Sequence, residues 1–360
     1  MTTTPYISQT SSPRPSVLPS LLLMRRIALM NQKGGVGKTT STANLGACLA
    51  ELGQRVLLFD MDPQANLSVH LGIDIYNLES SVYEVLLGEK DLAQVIHKTD
   101  RPGLDIVPSH IDLSGVEIEL VSALSRENIL RESLRKFEKD RPSSYDYCLI
   151  DCPPSLGLLA INAMTTAEEI FIPMQCEFFA LQGMSKLLGV VEMVRERLNP
   201  TLEVSGIIIC MADTRKNLTR EVADEVRRYF GDRVFETTIR SNVRLAEAPS
   251  HGQSILEYDP RSPGALDYLS LAREVDRTTQ STRESNRTTQ SNPPTDPNMT
   301  DRSSSDLSGD PTTPSHPPTK PQSPLHSEAS ETADPSSINS HRSVSQSAPD
   351  DLFGDPHEGA

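Results

Sequence analysis

A short apolar run, a glycine-rich turn and a helical pattern follow one another between residues 26 and 52. The apolar run at residues 26–31 has the length of a buried strand, and helical spacing extends from about residue 38 to residue 52. The turn between them contains three glycines within four residues. Glycine lets the backbone curl until consecutive N–H groups point at one centre. This order of elements constrains the chain to an α/β fold with an anion site at the start of a helix.

The turn has the character of a phosphate-binding loop with an unusual first half. The common pattern begins with glycine, where this chain has Gln32. Lys38 is placed to reach the β- and γ-phosphates of a nucleotide, and the Thr39 hydroxyl is placed to bind Mg²⁺. We therefore expect ATP and Mg²⁺ as cofactors. The predicted nucleotide contacts in the loop are Lys33, Gly34, Gly35, Val36, Gly37, Lys38, Thr39 and Thr40.

Acidic residues follow two further apolar runs. Asp60 and Asp62 end the run that begins at residue 55, and Asp151 ends the run that begins at residue 147. The carboxyl ends of parallel strands share one edge of a sheet, so both sites are expected to face the nucleotide. Asp151 is predicted to hold Mg²⁺ through water, and Asp62 to position or activate the attacking water. Turn capping is the commoner role of a single Asp at a strand end, but the ordered set argues against it.

Apolar runs of strand length alternate with helical patterns along most of the chain. Further runs lie at residues 104–107, 169–173 and 204–210, and helical spacing recurs near residues 181–198 and 219–230. Continuous apolar strands between helices are typical of a parallel sheet with both faces covered. The predicted fold is therefore a doubly wound, mostly parallel α/β sheet of the P-loop NTPase type.

Composition divides the chain into three parts. Residues 276–360 hold 12 of the 27 prolines, one Phe and no Tyr or Trp, and residues 1–23 hold four prolines among Ser and Thr. Such segments bury too little apolar surface to offset the entropy of ordering them. We predict disorder at residues 1–23 and 276–360, and one folded domain at residues 24–275.

Charge, cysteines and hydropathy exclude several classes of protein. The net charge of −15 argues against a protein coated in basic surface, although a local basic patch is compatible with it. Five cysteines without a C-x-x-C pair predict reduced, mostly buried thiols. No apolar run reaches the roughly 18 residues that a membrane span needs. The protein is predicted to be cytoplasmic, without stable membrane association.

Five motifs together resemble the ParA/Soj family of chromosome- and plasmid-partitioning ATPases, within the deviant Walker A class of P-loop proteins. The motifs lie at residues 31–40, 60–66, 151–155, 173–177 and 242–252. The last motif is long, and no catalytic requirement explains its sequence. A match to the family at these residues by chance is therefore improbable. The resemblance extends over residues 26–275, nearly the whole predicted domain.

The resemblance implies a dimer held together by ATP. In the family, the lysine at the position of Lys33 reaches across the dimer interface to the partner's nucleotide. The residue at Gly34 must be small so that the two loops can approach. Asp62 is implied to support hydrolysis, and Gln64 and Asn242 are implied to contact the nucleotide. The family commonly has proline where this chain has Arg240, which we expect to alter the adenine pocket.

The resemblance also implies binding to double-stranded DNA without sequence preference, and a nucleoid-associated location. Arg215 and Arg244 match the family's DNA-binding arginines, and a ParB-type partner is implied to stimulate hydrolysis. The chain has a local excess of basic residues between these two positions. The plainer alternative is a solvated helix face with i,i+4 pairs such as Asp224 with Arg228.

Three alternatives stay open to different degrees. A MinD-like membrane ATPase is disfavoured because Gln32 replaces glycine and because no C-terminal amphipathic helix is apparent. A non-enzymatic DNA-binding regulator is disfavoured by the intact Lys38, Thr39 and Asp62. A ParA-like ATPase that positions a protein cargo would share the same nucleotide and DNA chemistry, and the sequence does not separate it from a partitioning protein.

Overall fold

A computed structural model describes residues 24–177, 180–213 and 215–291, without the side chains of residues 180–183 and 280–291. The predictions of disorder for residues 1–23 and 292–360 lie outside the described residues.

Seven strands form one sheet in the described part of the chain. The strands are β1 (Arg25–Leu29), β2 (Val56–Asp60), β3 (His97–Lys98), β4 (Leu104–Val107), β5 (Tyr147–Asp151), β6 (Glu169–Gln175) and β7 (Glu203–Cys210). Their order is β3-β4-β2-β5-β1-β6-β7, and all neighbours are parallel except the β3–β4 pair. This confirms the predicted sheet. The two-residue strand β3 was not predicted, because it is too short to show a hydrophobic pattern.

Helices connect the strands and cover both faces of the sheet. They are α1 (Lys38–Glu51), α2 (Asn66–His70), α3 (Val82–Leu87), α4 (Leu92–Val95), α5 (Val116–Glu119), α6 (Ile129–Asp140), α7 (Leu158–Thr166), α8 (Ala180–Arg197), α9 (Asn217–Phe230), α10 (Val243–Glu247), α11 (Ile255–Tyr258) and α12 (Pro263–Ser291). The predicted helices α1, α8 and α9 begin and end within two residues of the expected positions.

The core consists of two apolar layers, one on each face of the sheet. Successive side chains of a strand point to opposite faces, so Phe59 lies in one layer and its neighbour Leu58 in the other. The first layer is closed by residues of α6, α7, α8 and α9, and the second by residues of α1 and α12. Two covered faces explain why the strands are apolar at nearly every position.

Helix α12 continues beyond Val275, where the sequence predicted the folded domain to end. The Arg25 guanidinium donates to the Val275 carbonyl at 2.8 Å and to the Thr279 hydroxyl at 2.6 Å. The Tyr147 hydroxyl donates to Asp276 at 2.9 Å. The composition of residues 276–279 is polar, but the amino-terminal edge of the sheet supplies partners for these groups. Residues 276–279 therefore contact the sheet, beyond the residue at which the sequence predicted the domain to end.

All five cysteines are free and buried, as the sequence predicted. Within residues 24–177, 180–213 and 215–291, no helix is both long enough and apolar enough to span a bilayer.

Gly206 in β7 tests how tightly the sheet packs against the residues that cover it. An added Cβ would lie 2.5 Å from Phe171 and 2.6 Å from Phe235. We expect Gly206→Ala to lower the free energy of unfolding by about 1–3 kcal/mol, because the rings must shift. Gly189→Ala in α8 is the control, since its Cβ meets nothing within 4 Å. That variant should be neutral or stabilising by up to about 1 kcal/mol in denaturant titrations, and equal effects of the two would contradict the packing argument.

Candidate functional site

The glycine-rich loop connects the carboxyl end of β1 to the start of α1. Gly35 and Gly37 have φ angles of +72° and +96°, in the left-handed region that disfavours a side chain. Gly37 is also the N-cap of α1, and no side chain caps the helix there. The first N–H groups of α1 are therefore available to an anion, and the helix dipole favours one.

Two side chains that were not predicted to have a role attach the loop to strand β6. The Asn31 amide donates to the Pro173 carbonyl at 2.8 Å, and its oxygen accepts from the Lys33 backbone N–H at 3.0 Å. The Gln175 amide donates to the Gly35 carbonyl at 3.0 Å. These residues stand inside the motifs at 31–40 and 173–177, so a signal was present, but the sequence does not say that they meet.

Lys38, Thr39 and Asp151 come together at the base of the loop, because β1 and β5 are parallel neighbours whose carboxyl ends share one edge. The Thr39 hydroxyl donates to Asp151 at 2.7 Å, and the Thr42 hydroxyl approaches the other carboxylate oxygen at 3.3 Å. Lys38 is only 8% exposed, and no ion pair joins it to another described residue. The Lys38 ammonium acts on the Asp151 carboxylate electrostatically but forms no salt bridge with it, and phosphate oxygens are a chemically suitable partner for it.

The site also has the donor set that Mg²⁺ prefers. The ion takes hard oxygen ligands, usually one or two protein groups together with substrate phosphates. The Thr39 hydroxyl and the Asp151 carboxylate, already in contact, are oxygen ligands of this kind. These residues therefore fit a nucleotide with its magnesium ion.

The carboxylates at this edge of the sheet are held in an environment that opposes their charge. Burial, and then the neighbouring Asp60, raise the pKa of Asp151 to about 8. Burial raises the pKa of Asp60 to about 6, although the backbone N–H and the hydroxyl of Ser68 each donate to Asp60 at 2.8 Å. A cation bound beside these two groups would relieve the penalty.

Asp62 lies on the loop that follows Asp60, and Gln64 lies further out. The backbone N–H of Asp62 donates to Asp60 at 3.2 Å, and Asp62 in turn accepts from the Gln64 backbone N–H at 3.0 Å. Asp62 is half-buried, whereas Gln64 is exposed. No hydrogen bond joins the Gln64 side chain to the parts of the chain that the structure describes, so its predicted nucleotide contact stays a prediction.

Lys33 and Gly34 stand at the outer rim of the loop. The Lys33 ammonium forms an ion pair with Glu177, and both side chains are about half exposed. Gly34 has no positive φ angle, and a Cβ there would meet nothing within 4 Å among the described residues. The fold of this subunit therefore does not itself require glycine at position 34.

The segments that carry the two candidate DNA-binding arginines run side by side. The Ala212 N–H donates to the Ile239 carbonyl at 3.0 Å, and the Ser241 N–H donates to the Ala212 carbonyl at 3.1 Å. Arg215 and Arg244 each follow this contact by three residues, and both are exposed. Each guanidinium is paired with a carboxylate close in sequence, Arg215 with Asp213 and Arg244 with Glu247.

Asn242 and Arg240 occupy the start of the long C-terminal motif. The Asn242 oxygen caps α10 by accepting from the Arg244 N–H at 2.9 Å. Its amide nitrogen is buried and has no hydrogen-bond partner among the described residues. Buried polar groups normally have such a partner, and a bound ligand could supply it here. Arg240 turns to α12 instead, where its guanidinium donates to Asp267 at 2.7 Å. The substitution for proline therefore places a salt bridge to α12 at this position.

Comparisons with known proteins agree with this geometry. The profile of a family described as AAA domain matches residues 24–204. The sporulation initiation inhibitor protein Soj of Bacillus subtilis is 51% identical over 249 residues, which are 69% of this chain and 97% of Soj. The chain belongs to the ParA/Soj family. The chromosome partitioning protein ParA of Caulobacter vibrioides is 50% identical over 252 residues, 70% of this chain and 94% of that protein.

Solved structures of other proteins share the fold of this family member. A cobyrinic acid a,c-diamide synthase from Mycobacterium smegmatis, solved with ADP and magnesium, aligns with a TM-score of 0.63 at 35% identity. The alignment covers 72% of this chain and 97% of the synthase. The septum site-determining protein MinD of Pyrococcus horikoshii, solved with Mg-ADP, aligns with a TM-score of 0.59 at 30% identity, over 71% of this chain and 97% of MinD.

The raised pKa of Asp151 predicts a pH-dependent effect of Asp151→Asn on the ligand-free protein. A carboxyl group whose folded pKa lies above its unfolded value of about 4 lowers stability as the pH rises between those two values. Because the folded pKa is about 8, wild type loses stability between pH 4 and pH 8, and the neutral Asn does not. The variant's advantage in the free energy of unfolding should therefore be larger at pH 8 than at pH 5 by at least about 1 kcal/mol.

Denaturant titrations in the presence of a chelator measure this difference. Thr39→Ser keeps both the hydroxyl and the carboxylate, and it serves as the control that should show no such pH dependence relative to wild type. An Asp151→Asn advantage that stays constant from pH 5 to pH 8 would contradict the assigned pKa.

Proposed function

We propose that this protein is an ATPase that binds Mg-ATP, forms a homodimer in the ATP state, binds double-stranded DNA without sequence preference and partitions chromosomes or plasmids together with a ParB-type partner. The observation that carries the proposal is Lys38, whose side chain forms no salt bridge with the described residues, beside the Thr39–Asp151 contact at an uncapped helix start. Family membership supports the assignment, since the relatives include chromosome partitioning proteins.

The roles in catalysis follow from the positions of the groups. Lys38 neutralises the phosphate oxygens, and the N–H groups of residues 34–39 orient them. Thr39, and Asp151 through water, would hold Mg²⁺, which would supply charge stabilisation to the phosphates. Asp62 is half-buried at the same edge, where its carboxylate orients the attacking water. Asn242 donates its unpaired amide N–H to the nucleotide.

The rim of the loop supports the ATP-dependent dimer. A glycine that the subunit's own fold does not require at position 34 is explained by a partner's loop that passes close to it. Lys33 is paired with Glu177 in an exposed ion pair, and such pairs contribute about 1 kcal/mol or less. Lys33 can therefore exchange Glu177 for a phosphate on the partner subunit at little cost. There it stabilises charge in the transition state, as an arginine finger does.

The adjacent segments near Arg215 and Arg244 support the DNA-binding surface. A dimer presents both arginines twice, which raises the affinity for the phosphate backbone and lets ATP control DNA binding. The net charge of −15 does not oppose this, because the potential at a surface depends on the charges near it. We propose a cytoplasmic protein associated with the nucleoid.

The steady-state ATPase rate tests the function as a whole. We expect the rate to rise with double-stranded DNA and a ParB-type protein together, and to rise less with either alone. A chain with Lys38→Ala should show no rate under any condition, because the phosphate contact is lost. If DNA and the ParB-type protein together do not stimulate the wild-type rate, the partitioning role is wrong.

Lys33→Ala tests the ATP-dependent dimer. We expect the variant to bind ATP measurably but to stay monomeric in sedimentation velocity with a slowly hydrolysed ATP analogue, because the charge that crosses the interface is absent. Lys186→Ala, which removes an exposed lysine of α8, should dimerise like wild type. A Lys33→Ala dimer as stable as the wild-type dimer would exclude the role across the interface.

Arg244→Ala tests the DNA surface, with Arg195→Ala as a matched control. Both arginines are 49% exposed, and both pair with a glutamate three residues away. Loss of Arg244 should weaken DNA binding on all sequences and reduce the slope of log affinity against log salt by about 1 per lost phosphate contact. Dimerisation should be unchanged. Equal DNA affinities of the two variants would place the surface elsewhere.

A further inference from the structure

Met211 is an exposed methionine that is held close to the phosphate loop. Its side chain is 45% exposed, and its φ angle of +52° lies in the left-handed region that residues other than glycine rarely adopt. The backbone on either side is fixed, because Cys210 ends β7 and Ala212 is hydrogen-bonded to Ile239 and Ser241. A side chain kept in this unfavourable conformation favours a role for the side chain itself.

The Met211 thioether contacts the group that attaches the phosphate loop to β6. The Gln175 amide nitrogen donates to the Gly35 carbonyl at 3.0 Å and to the Met211 sulfur at 2.7 Å. An added Cβ at Gly37 would lie 3.7 Å from the Met211 methyl group. The thioether therefore packs beside the loop and shares an amide donor with it.

Exposure separates Met211 from most other sulfur atoms of the protein. Among the described residues, only Met211 and Met193 are exposed methionines, and Met193 is 51% exposed on α8. The other described methionines are at most 6% exposed, and they are Met24, Met30, Met61, Met164, Met174 and Met184. The five cysteines are buried, and burial raises the pKa of each thiol, so little reactive thiolate is present. A peroxide in the solvent therefore reaches the two exposed thioethers first.

Reaction with hydrogen peroxide would change the chemical character of the Met211 sulfur. A sulfur lone pair attacks one peroxide oxygen, the O–O bond breaks, and an S–O bond forms. The hydroxide that leaves takes the proton of the sulfur-bound hydroxyl and becomes water. The thioether is thereby oxidised by two electrons to a sulfoxide, and the peroxide is reduced. The product carries a polar oxygen on a positively polarised sulfur.

This sulfoxide does not fit the observed position of the Gln175 amide. At 2.7 Å, no room exists for an oxygen between the sulfur and the amide nitrogen. An oxygen on any other side leaves a positively polarised sulfur against an N–H donor, and that contact is repulsive. In both cases the amide has to move, and Gly35 loses its hydrogen bond to β6. The bond from Asn31 to Pro173 remains, so the loop is loosened but stays attached.

We propose that Met211 is a redox-sensitive modification site, at which oxidation by a peroxide weakens nucleotide binding through Gln175 and Gly35, and reduction restores it. This inference rests on the proposed function only in that the loop binds Mg-ATP. The expected loss of affinity is about threefold to tenfold, as for the loss of one hydrogen bond. The oxidation itself depends on neither dimerisation nor DNA.

Peptide mapping by mass spectrometry tests the site in the full-length, nucleotide-free chain. The chain is treated with hydrogen peroxide for increasing times, and the sulfoxide fraction is measured at each methionine. We expect Met211 and Met193 to be oxidised faster than the six buried methionines. Oxidation of Met211 that is no faster than theirs would overturn the proposal.

Two matched variants assign the effect on nucleotide binding. Met193→Leu keeps Met211 as the exposed methionine of the described residues, and Met211→Leu keeps Met193. Leucine is similar in volume to methionine and has no sulfur to oxidise. The probe is a fluorescent, slowly hydrolysed ATP analogue with Mg²⁺, and its affinity is measured for each chain before and after peroxide. Peroxide should lower the affinity of Met193→Leu about threefold to tenfold and should not lower that of Met211→Leu. Equal ratios in the two chains would overturn the proposal.

Gln175→Ala tests the route from the sulfur to the loop. Without the amide, peroxide should no longer change the affinity, whatever its starting value. A loss as large as that of Met193→Leu would contradict the route and overturn the proposal.

Reversal and folding are measured on the oxidised Met193→Leu chain. A methionine sulfoxide reductase with dithiothreitol should restore its affinity for the ATP analogue. A permanent loss would overturn the proposal, because irreversible damage at another residue would then explain it. Thermal unfolding should show a folded chain after peroxide, and unfolding that accompanies the loss of affinity would also overturn the proposal.

The untreated chain separates this proposal from the proposed function. If untreated wild type does not bind the ATP analogue, the assignment of the phosphate loop is wrong, and the proposal fails with it. If the untreated chain binds and oxidised Met193→Leu binds equally well, only the proposal for Met211 fails.

Discussion

The contact between the Thr39 hydroxyl and the Asp151 carboxylate is the constraint around which the rest of the site is arranged. These residues are 112 positions apart, and they meet because β1 and β5 are parallel neighbours whose carboxyl ends share one edge. Strand β2 pairs with β5 on its other side, which brings Asp60 and Asp62 to the same edge. The arrangement collects negative charge in a buried place, and burial raises the pKa of both Asp60 and Asp151.

These buried negative charges are unfavourable in the absence of a ligand. The sheet tolerates them because its own packing is stable. Both faces of the sheet are covered by apolar layers, and the strands next to the site are fully buried. At the opposite edge, Arg25 and Tyr147 bind α12 through Thr279 and Asp276. Stability at one end of the strands thus offsets the cost of the buried carboxylates at the other. A Mg-nucleotide would neutralise the charge that the fold collects.

Local patterns in the sequence predicted most of the sheet and the centre of the site. Six strands, the helices α1, α8 and α9, and the group of Lys38, Thr39 and Asp151 follow from runs of apolar residues and from the glycine-rich loop. Short elements were missed, because β3 and the helices α2 to α4 are too brief to show a period. The contacts of residues 276–279 with the sheet were not predicted, because composition does not reveal that a polar segment finds partners on a distant edge of the sheet.

The sequence by itself determined the phosphate loop, the parallel α/β class and the family. Each of them can be identified from short motifs or runs of neighbouring residues. Only the tertiary structure decided which distant groups hold the site in place. Asn31 bonds to Pro173 over 142 positions, and Gln175 to the loop over 140. A local pattern carries no information about such pairs. They form because the packing of helices on the sheet brings their backbones within hydrogen-bond reach.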